Sequence, residues 1–310
     1  MEKTFPGGVW PVMLTPFKDR EIDYQALEEL IQWYLASGVS GLFAVCQSSE
    51  MFHLTDRECQ ELASFIKEKA GGTVPVIASG HTADRLEQQA EQIIQMHETG
   101  VDAVVLITNR LANEEDGEEV FEENLHRLLA MIPAHIALGL YECPFPYKRL
   151  LSPNMLKKLA HTNRFYFLKD TSCDIKQIEA KLKVVKGTPL RVYNANTATL
   201  LSTLRAGVVG YSGVMANFQP DLYSWLMQNY EIHPQTANEL QHFLSMTALI
   251  ERQHYPANAK YYLHQEGLQL WTEETRVYPS RLLTDTEKME IAQLRALTTS
   301  YRKRVLGLTV

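Results

Sequence analysis

The sequence has no polybasic run, no apolar stretch longer than a β-strand and no C-x-x-C pair. With a formal net charge of −7, the first absence argues against a nucleic-acid partner. The second argues against a membrane span, and the opening MEKTFPGGVWPV carries no apolar signal segment. Four cysteines (Cys46, Cys59, Cys143 and Cys173) are too few and too scattered for a disulfide framework. They also lack the tight company of histidine that zinc would need, so no metal is expected. No G-x-G-x-x-G follows the first apolar run, and no motif asks for a nucleotide, flavin or pyridoxal phosphate. The expectation is a reduced, cytoplasmic protein without a cofactor.

What is present is regular. Hydrophobic residues make up 45% and charged residues 22% of 310 positions, a globular balance with room for a large core. Eight short apolar runs recur: 11–17, 41–46, 75–80, 103–108, 136–141, 165–170, 191–196 and 208–214. Most are apolar at consecutive positions, as parallel strands covered on both faces require. Helix signals lie between them. Asp23 can cap the first helix, and Thr55 with Glu58 reads as a capping box before a helix that stops at Gly71. Thr82, Ser152 with Pro153, Ser172 or Asp174, and Thr197 are the expected openers of later helices.

Eight strand–helix repeats in one direction predict a (β/α)8 TIM barrel over residues 1–232. A doubly wound open sheet is the rival. After Val214 the pattern turns helical, and 233–310 read as a C-terminal helical appendix.

In such a barrel the C-terminal strand ends line one mouth, where catalysis sits. The ends read Thr15; Cys46 to Glu50; Ser79 to His81; Thr108 to Arg110; Tyr141 and Glu142; Lys169 and Asp170; Asn194 to Asn196; and Ser212 with Gly213. Among them Lys169 stands out. In a low-dielectric mouth the charged form of a lysine is disfavoured and its pKa falls. A neutral amine attacks a ketone to form a Schiff base. The iminium then stabilises a neighbouring carbanion, which is the chemistry of making or breaking a carbon–carbon bond beside a 2-oxo acid, or of dehydrating one. Tyr141 ends the adjacent strand and is the candidate proton donor and acceptor. Gln47, Ser48 and Ser49 follow strand 2, where hydroxyls and backbone N–H groups can hold a carboxylate. Asn196, Ser212 and Gly213, with Asn194 and Thr197, are candidate contacts to the distal part of the substrate. Arg110, Lys148 and Arg149 could attract an acid. Glu50 reads as a buried structural acceptor, and the acidic run 113–124 as a solvated loop and helix start.

In order along the chain, TPF in strand 1, SSE after strand 2, YECP ending strand 5, LKDTS ending strand 6 and GVVGYSG at strand 8 resemble the dihydrodipicolinate synthase / N-acetylneuraminate lyase family. YPANAKYYLHQEGL in the appendix fits the same resemblance. It implies a Schiff-base (β/α)8 barrel, a class I lyase acting on pyruvate or another 2-oxo acid, and a homo-oligomer, dimer or tetramer. It also implies Lys169 as the Schiff-base lysine and Tyr141 as the proton-shuttling tyrosine. Ser48 and Glu50 match residues of the turn after strand 2.

The departures bear on substrate. Gln47 stands where the synthase has a proton-relaying hydroxyl, and Ser49 where it has a glycine. No tyrosine follows strand 4, and Pro146 lies near the place of an arginine that gathers the second substrate. Three readings stay open: a Schiff-base lyase, aldolase or dehydratase whose partner substrate is unspecified; 4-hydroxy-tetrahydrodipicolinate synthase itself; and a non-catalytic carboxylate-binding barrel.

Overall fold

A computed structural model describes residues 4–268 and 272–307. The extreme ends of the two expected segments, 1–3 and 308–310, therefore lie outside the described residues. Eight parallel strands run in sequence: β1 (Gly8–Val9), β2 (Leu42–Phe43), β3 (Val76–Ala78), β4 (Ala103–Ile107), β5 (Leu138–Tyr141), β6 (Phe165–Asp170), β7 (Arg191–Asn194) and β8 (Gly210–Tyr211). Each pairs with its neighbour, and β1 pairs with β8. Val12, just past β1, bridges to Phe43 of β2 in parallel, with Met13 N–H donating to Phe43 O and Phe43 N–H to Pro11 O at 3.0 Å each. This closes the cylinder.

The first strand sits earlier than the apolar run 11–17 suggests. Pro11 and Pro16 lack the N–H a ladder needs, and Phe17 instead pairs with Ile22 in a small antiparallel hairpin. Asp19 and Arg20 turn that hairpin with φ of 53° and 69°, the two left-handed residues such a turn requires.

Helices cover the barrel: α1 (Tyr24–Ala36), α2 (Asp56–Ala70), α3 (Leu86–Glu98), α4 (Glu118–Met131), α5 (Pro153–Ala160), α6 (Ile175–Val185), α7 (Leu200–Ala206) and α8 (Pro220–Asn229). Helix α2 shows how local sequence dictates them. Thr55 and Glu58 form the capping box, acids occupy its first turn and lysines its last, and Gly71 ends it at φ 57°. Its buried residues, Cys59, Leu62, Ala63, Ile66 and Ala70, fall on one stripe. Asp23, Ser152 and Asp174 cap α1, α5 and α6 through their side chains. Two expected openers differ. Helix α3 starts after Arg85 rather than Thr82, because the Ala83 N–H is satisfied by the Gln92 side chain at 3.1 Å. Helix α7 starts after Thr199, because the Thr197 hydroxyl is engaged by the hydroxyls of Tyr211 and Tyr223.

The barrel interior is filled with aromatic rings. Trp10, Phe43, Phe167 and Tyr193 meet across it, with Phe167 stacked on Tyr193 at 4.1 Å and Phe43 edge-on to Phe167 at 6.1 Å. A Cβ on Gly41 would strike the Trp10 ring at 2.4 Å, and one on Gly210 the Tyr193 ring at 2.4 Å. Glycine there makes room for the plug.

Helices α9 (Pro234–Thr247), α10 (Ala257–Gln265) and α11 (Asp285–Leu306) form the C-terminal part. One buried carboxylate ties it to the turn after β2. Glu50, in the left-handed region at φ 64°, accepts from Lys260 Nζ at 2.7 Å, Thr275 Oγ1 at 2.7 Å, Arg276 N at 2.6 Å and Val277 N at 3.1 Å. Both members of the Glu50–Lys260 pair are fully inaccessible. Removing one partner strands the other in low dielectric. Glu50→Ala is therefore expected to lose about 3–5 kcal/mol in urea unfolding; a loss below about 1 kcal/mol, as for an exposed pair, would contradict this role.

Candidate active site

Side chains two apart on a strand face the same way. Phe167 belongs to the aromatic plug, so Lys169 must stand directly above it. Its Nζ lies 5.9 Å from the Phe43 ring and 4.5 Å from the Tyr141 ring, and the residue is 4% exposed. Lys169 and Tyr141 are register partners on β6 and β5. The alternate side chains, Glu142 and Asp170, point the other way and clamp Lys181 of α6 at 2.5 and 2.6 Å. One face of the strand pair thus carries an amine and a phenol, and the other a buried ion triad that fixes their register.

Burial drives the Lys169 pKa from 10.5 down to about 8. About a tenth of the amine is then neutral at pH 7, against roughly one part in three thousand for an ordinary lysine. Ring faces attract an ammonium by about 1 kcal/mol, less than the about 3 kcal/mol that a shift of this size represents. Nothing nearby reverses the effect. Among the described residues Nζ makes no hydrogen bond or ion pair. Burial holds the thiols of Cys46 and Cys143 in their neutral form, Cys143 at about 11. Burial also pushes the Tyr141 phenol well above its usual value, so it waits as a proton donor. Its hydroxyl donates to Gln47 Oε1 at 3.4 Å.

Lys169 and Tyr141 open into a cavity of about 390 Å³. Of the expected contacts, Gln47, Ser48, Asn196 and Gly213 line it. Gly213 has no room for a side chain, since a Cβ would meet the Tyr211 hydroxyl at 2.3 Å and Ala195 O at 2.4 Å. Asn196 uses its carbonyl to accept from Thr199 N at 3.0 Å. Ser49 and Ser212 lie outside the lining. The Ser49 hydroxyl bridges Cys46 N and Cys46 O at 2.7 Å each, which stiffens the turn that presents Ser48. Ser212 is buried with its hydroxyl unpartnered. Asn194 binds Thr199 and Thr203, away from the cavity.

The expected cations divide. Lys148 lines the cavity and donates to Thr171 O at 2.9 Å. Arg110 pairs with Asp84 at 2.5 Å, and Arg149 turns to the backbone of Asn113 and Asp116; neither reaches the cavity. His81 is also off the mouth. Its Nε2 accepts from Ile107 N at 2.7 Å, and burial lowers its pKa to about 4, so it stays neutral. Among the described residues no group of three His, Cys, Asp or Glu could hold a metal ion, and no helix is long and apolar enough to cross a membrane.

Several lining residues have no signal in the strand-end pattern. Phe52 and Phe145 meet at 5.2 Å on the outer wall, with Val214, Val277 and Tyr278. Glu251 and Tyr255 come from the segment between α9 and α10. They arrive from more than 80 residues beyond Lys169, and no periodicity links them to a barrel mouth.

Residues 5–295 match the model of the dihydrodipicolinate synthetase family. The chain belongs to that family. Its members are class I lyases that form a Schiff base with a lysine, and this chain is such an enzyme. It is 26% identical over 216 residues to a 4-hydroxy-tetrahydrodipicolinate synthase of Clostridium perfringens, covering 69% of this chain and 72% of that one. The synthase of Methanocaldococcus jannaschii is 27% identical over 216 residues, covering 69% and 71%. Among solved structures, dihydrodipicolinate synthase of Thermotoga maritima superposes with a TM-score of 0.85 at 20% identity, covering 96% of this chain and 99% of that one. The 4-hydroxy-tetrahydrodipicolinate synthase of Methylacidiphilum fumariolicum SolV gives 0.85 at 20%, covering 98% and 99%. The barrel fold of the family is therefore that of this chain.

The lysine's burial has a thermodynamic consequence. A depressed amine pKa costs folding stability fully below pH 8, and the cost fades as pH rises through the unfolded value near 10.5. Lys169→Met should therefore be more stable than the parent by about 3 kcal/mol at pH 7, with the gap closing towards pH 10.5. Equal or lower stability at pH 7 in denaturant unfolding would contradict the burial argument.

Proposed function

We propose that Lys169 forms a Schiff base with the keto carbon of pyruvate or a related 2-oxo acid, and that the enzyme makes or breaks the carbon–carbon bond beside it, or dehydrates the adduct. The observation that carries this reading is a buried amine, its pKa lowered to about 8 by burial, held against the ring of a protonated phenol in a 390 Å³ cavity. The neutral amine adds to the carbonyl carbon. The phenol of Tyr141 supplies the proton with which the carbinolamine oxygen leaves as water. The Tyr141 phenolate left behind takes the proton from the adjacent C–H bond as the iminium draws in that bond's electrons, and the resulting enamine carbon attacks an aldehyde, whose oxygen takes the proton back from Tyr141. Cleavage is the reverse sequence. In this reading Ser48 and Gln47 take the acid end of the substrate and Asn196 and Gly213 its distal part; all four line the cavity. Ser49 serves by holding the turn, and the Ser212 hydroxyl has no path to the substrate.

A second reading, 4-hydroxy-tetrahydrodipicolinate synthase, is favoured by the names of the curated relatives. Against it stand Gln47 in the place of a relay hydroxyl, the absence of a tyrosine after β4, and a cavity lining without arginine. The apolar outer wall of Phe52, Phe145 and Val214 suits an acceptor aldehyde with an apolar body. A non-catalytic binder has no use for an amine of lowered pKa beside a phenol.

Incubation with pyruvate and borohydride, followed by intact mass and peptide mapping, should add one reduced pyruvate at Lys169. The adduct should vanish in Lys169→Ala. Folded protein that yields no adduct with pyruvate or any of a panel of 2-oxo acids would sink the reading. Turnover of pyruvate with aspartate semialdehyde at a rate matching the best aldehyde of a panel would select the synthase; its failure, with another aldehyde consumed, would remove it.

A further inference from the structure

Tyr255 has a phenol whose proton is unaccounted for by its neighbours in the core. The Asn217 amide beside it is oriented without ambiguity. Its Oδ1 accepts from the Tyr34 hydroxyl, and its Nδ2 donates to Val12 O at 2.9 Å. The remaining amide hydrogen goes to the Tyr255 oxygen, also at 2.9 Å. The phenol oxygen is thus an acceptor on its core side, and its own hydrogen must be donated elsewhere. What lies there is the Ser48 hydroxyl and the cavity that Lys169, Tyr141, Ser48 and Tyr255 line together.

A 2-oxo acid held at Lys169 brings a carboxylate into this dry space, and a carboxylate only accepts hydrogen bonds. The turn after β2 offers the first donors, its backbone N–H groups and the Ser48 hydroxyl, with Lys148 and Asn196 farther along the lining. The Lys169 nitrogen is consumed by the imine, Tyr141 is reserved for proton transfer, and Glu251 is itself an acid. We propose that Tyr255, beside Ser48, adds a further bond to the acid group, so that the C-terminal segment supplies a carboxylate-binding donor to the barrel's active site. This rests on the Schiff-base reading above and goes beyond it by assigning the recognition of the acid group.

The surroundings suit the task. Burial holds the phenol pKa well above its ordinary value, so the donor persists across the working pH range. Tyr255 immediately precedes the turn into α10, and Lys260 of that helix holds Glu50, two residues beyond Ser48. The same helical segment therefore fixes the turn that carries Ser48 and delivers the phenol that works beside it.

The test compares two ketones in borohydride trapping: pyruvate, and acetone, which is the same ketone without the carboxylate. A charge-assisted hydrogen bond lost to Tyr255→Phe should raise the pyruvate concentration for half-trapping by about tenfold or more, while acetone stays within about twofold of the parent. Pyruvate trapping that also stays within that margin would overturn the assignment. So would an equal rise for both ketones, since that is general damage to the site. Should Tyr255→Phe fail to fold, Tyr255→Met is the second variant; it fills the space without a hydrogen-bond donor and should reproduce the pyruvate-selective loss. A parent protein that traps neither ketone would refute the Schiff base itself; a parent that traps both, with variants that match it, refutes the role of Tyr255 alone.

Discussion

An ammonium group is most stable in water, and the barrel denies Lys169 that solvent. The aromatic plug of Trp10, Phe43, Phe167 and Tyr193 sits beneath its nitrogen, and the ring of Tyr141 stands beside it. Everything proposed for the site follows from that dry floor. The amine loses its proton near pH 8, far below an exposed lysine, because burial outweighs the attraction of the ring faces. The same burial keeps the Tyr141 phenol and the nearby thiols protonated. At neutral pH a usable fraction of the amine is therefore an uncharged nucleophile, beside a phenol that keeps its proton, which is the pair of states a carbonyl addition needs.

The floor is costly to hold in place, and the structure invests in it from two directions. Under the strands, Lys181 clamps Glu142 and Asp170, the residues next to Tyr141 and Lys169. That triad locks the register of the two strands, so the amine and phenol cannot slip apart by one residue and exchange faces. Over the mouth, Glu50 gathers Lys260, Thr275 and two backbone N–H groups from the C-terminal part. A turn that carries the cavity-lining Gln47 and Ser48 is thereby fixed by helices outside the barrel.

Much of this was legible in the chain because the signals are local. Consecutive apolar runs reveal buried parallel strands, and the ends of two of those runs put Tyr141 and Lys169 at the mouth of the barrel. The capping residues Asp23, Thr55, Ser152 and Asp174 mark helix starts by their own side-chain chemistry. What failed was decided by partners distant in sequence. Thr197 looks like a cap, but two tyrosine hydroxyls claim it. Thr82 is bypassed because Gln92 reaches back to Ala83. Ser49 looks like a substrate contact, yet its hydroxyl closes a turn on Cys46. Arg149 looks available for an acid, but it is spent on the loop at 113–116. Tyr255 opens the YPANAKYYLHQEGL stretch, but like Glu251 it reaches the cavity from a segment with no strand-end logic, so strand periodicity announces neither.

The barrel holds an amine that loses its proton far below the range of an exposed lysine. Nitrogen-detected NMR of the protein labelled at lysine, with Lys169→Met to assign the signal, reads that titration directly. The account predicts a Lys169 midpoint near pH 8, well separated from the other lysines. A midpoint at or above 10 would mean that water reaches the nitrogen, and the account would fail with it.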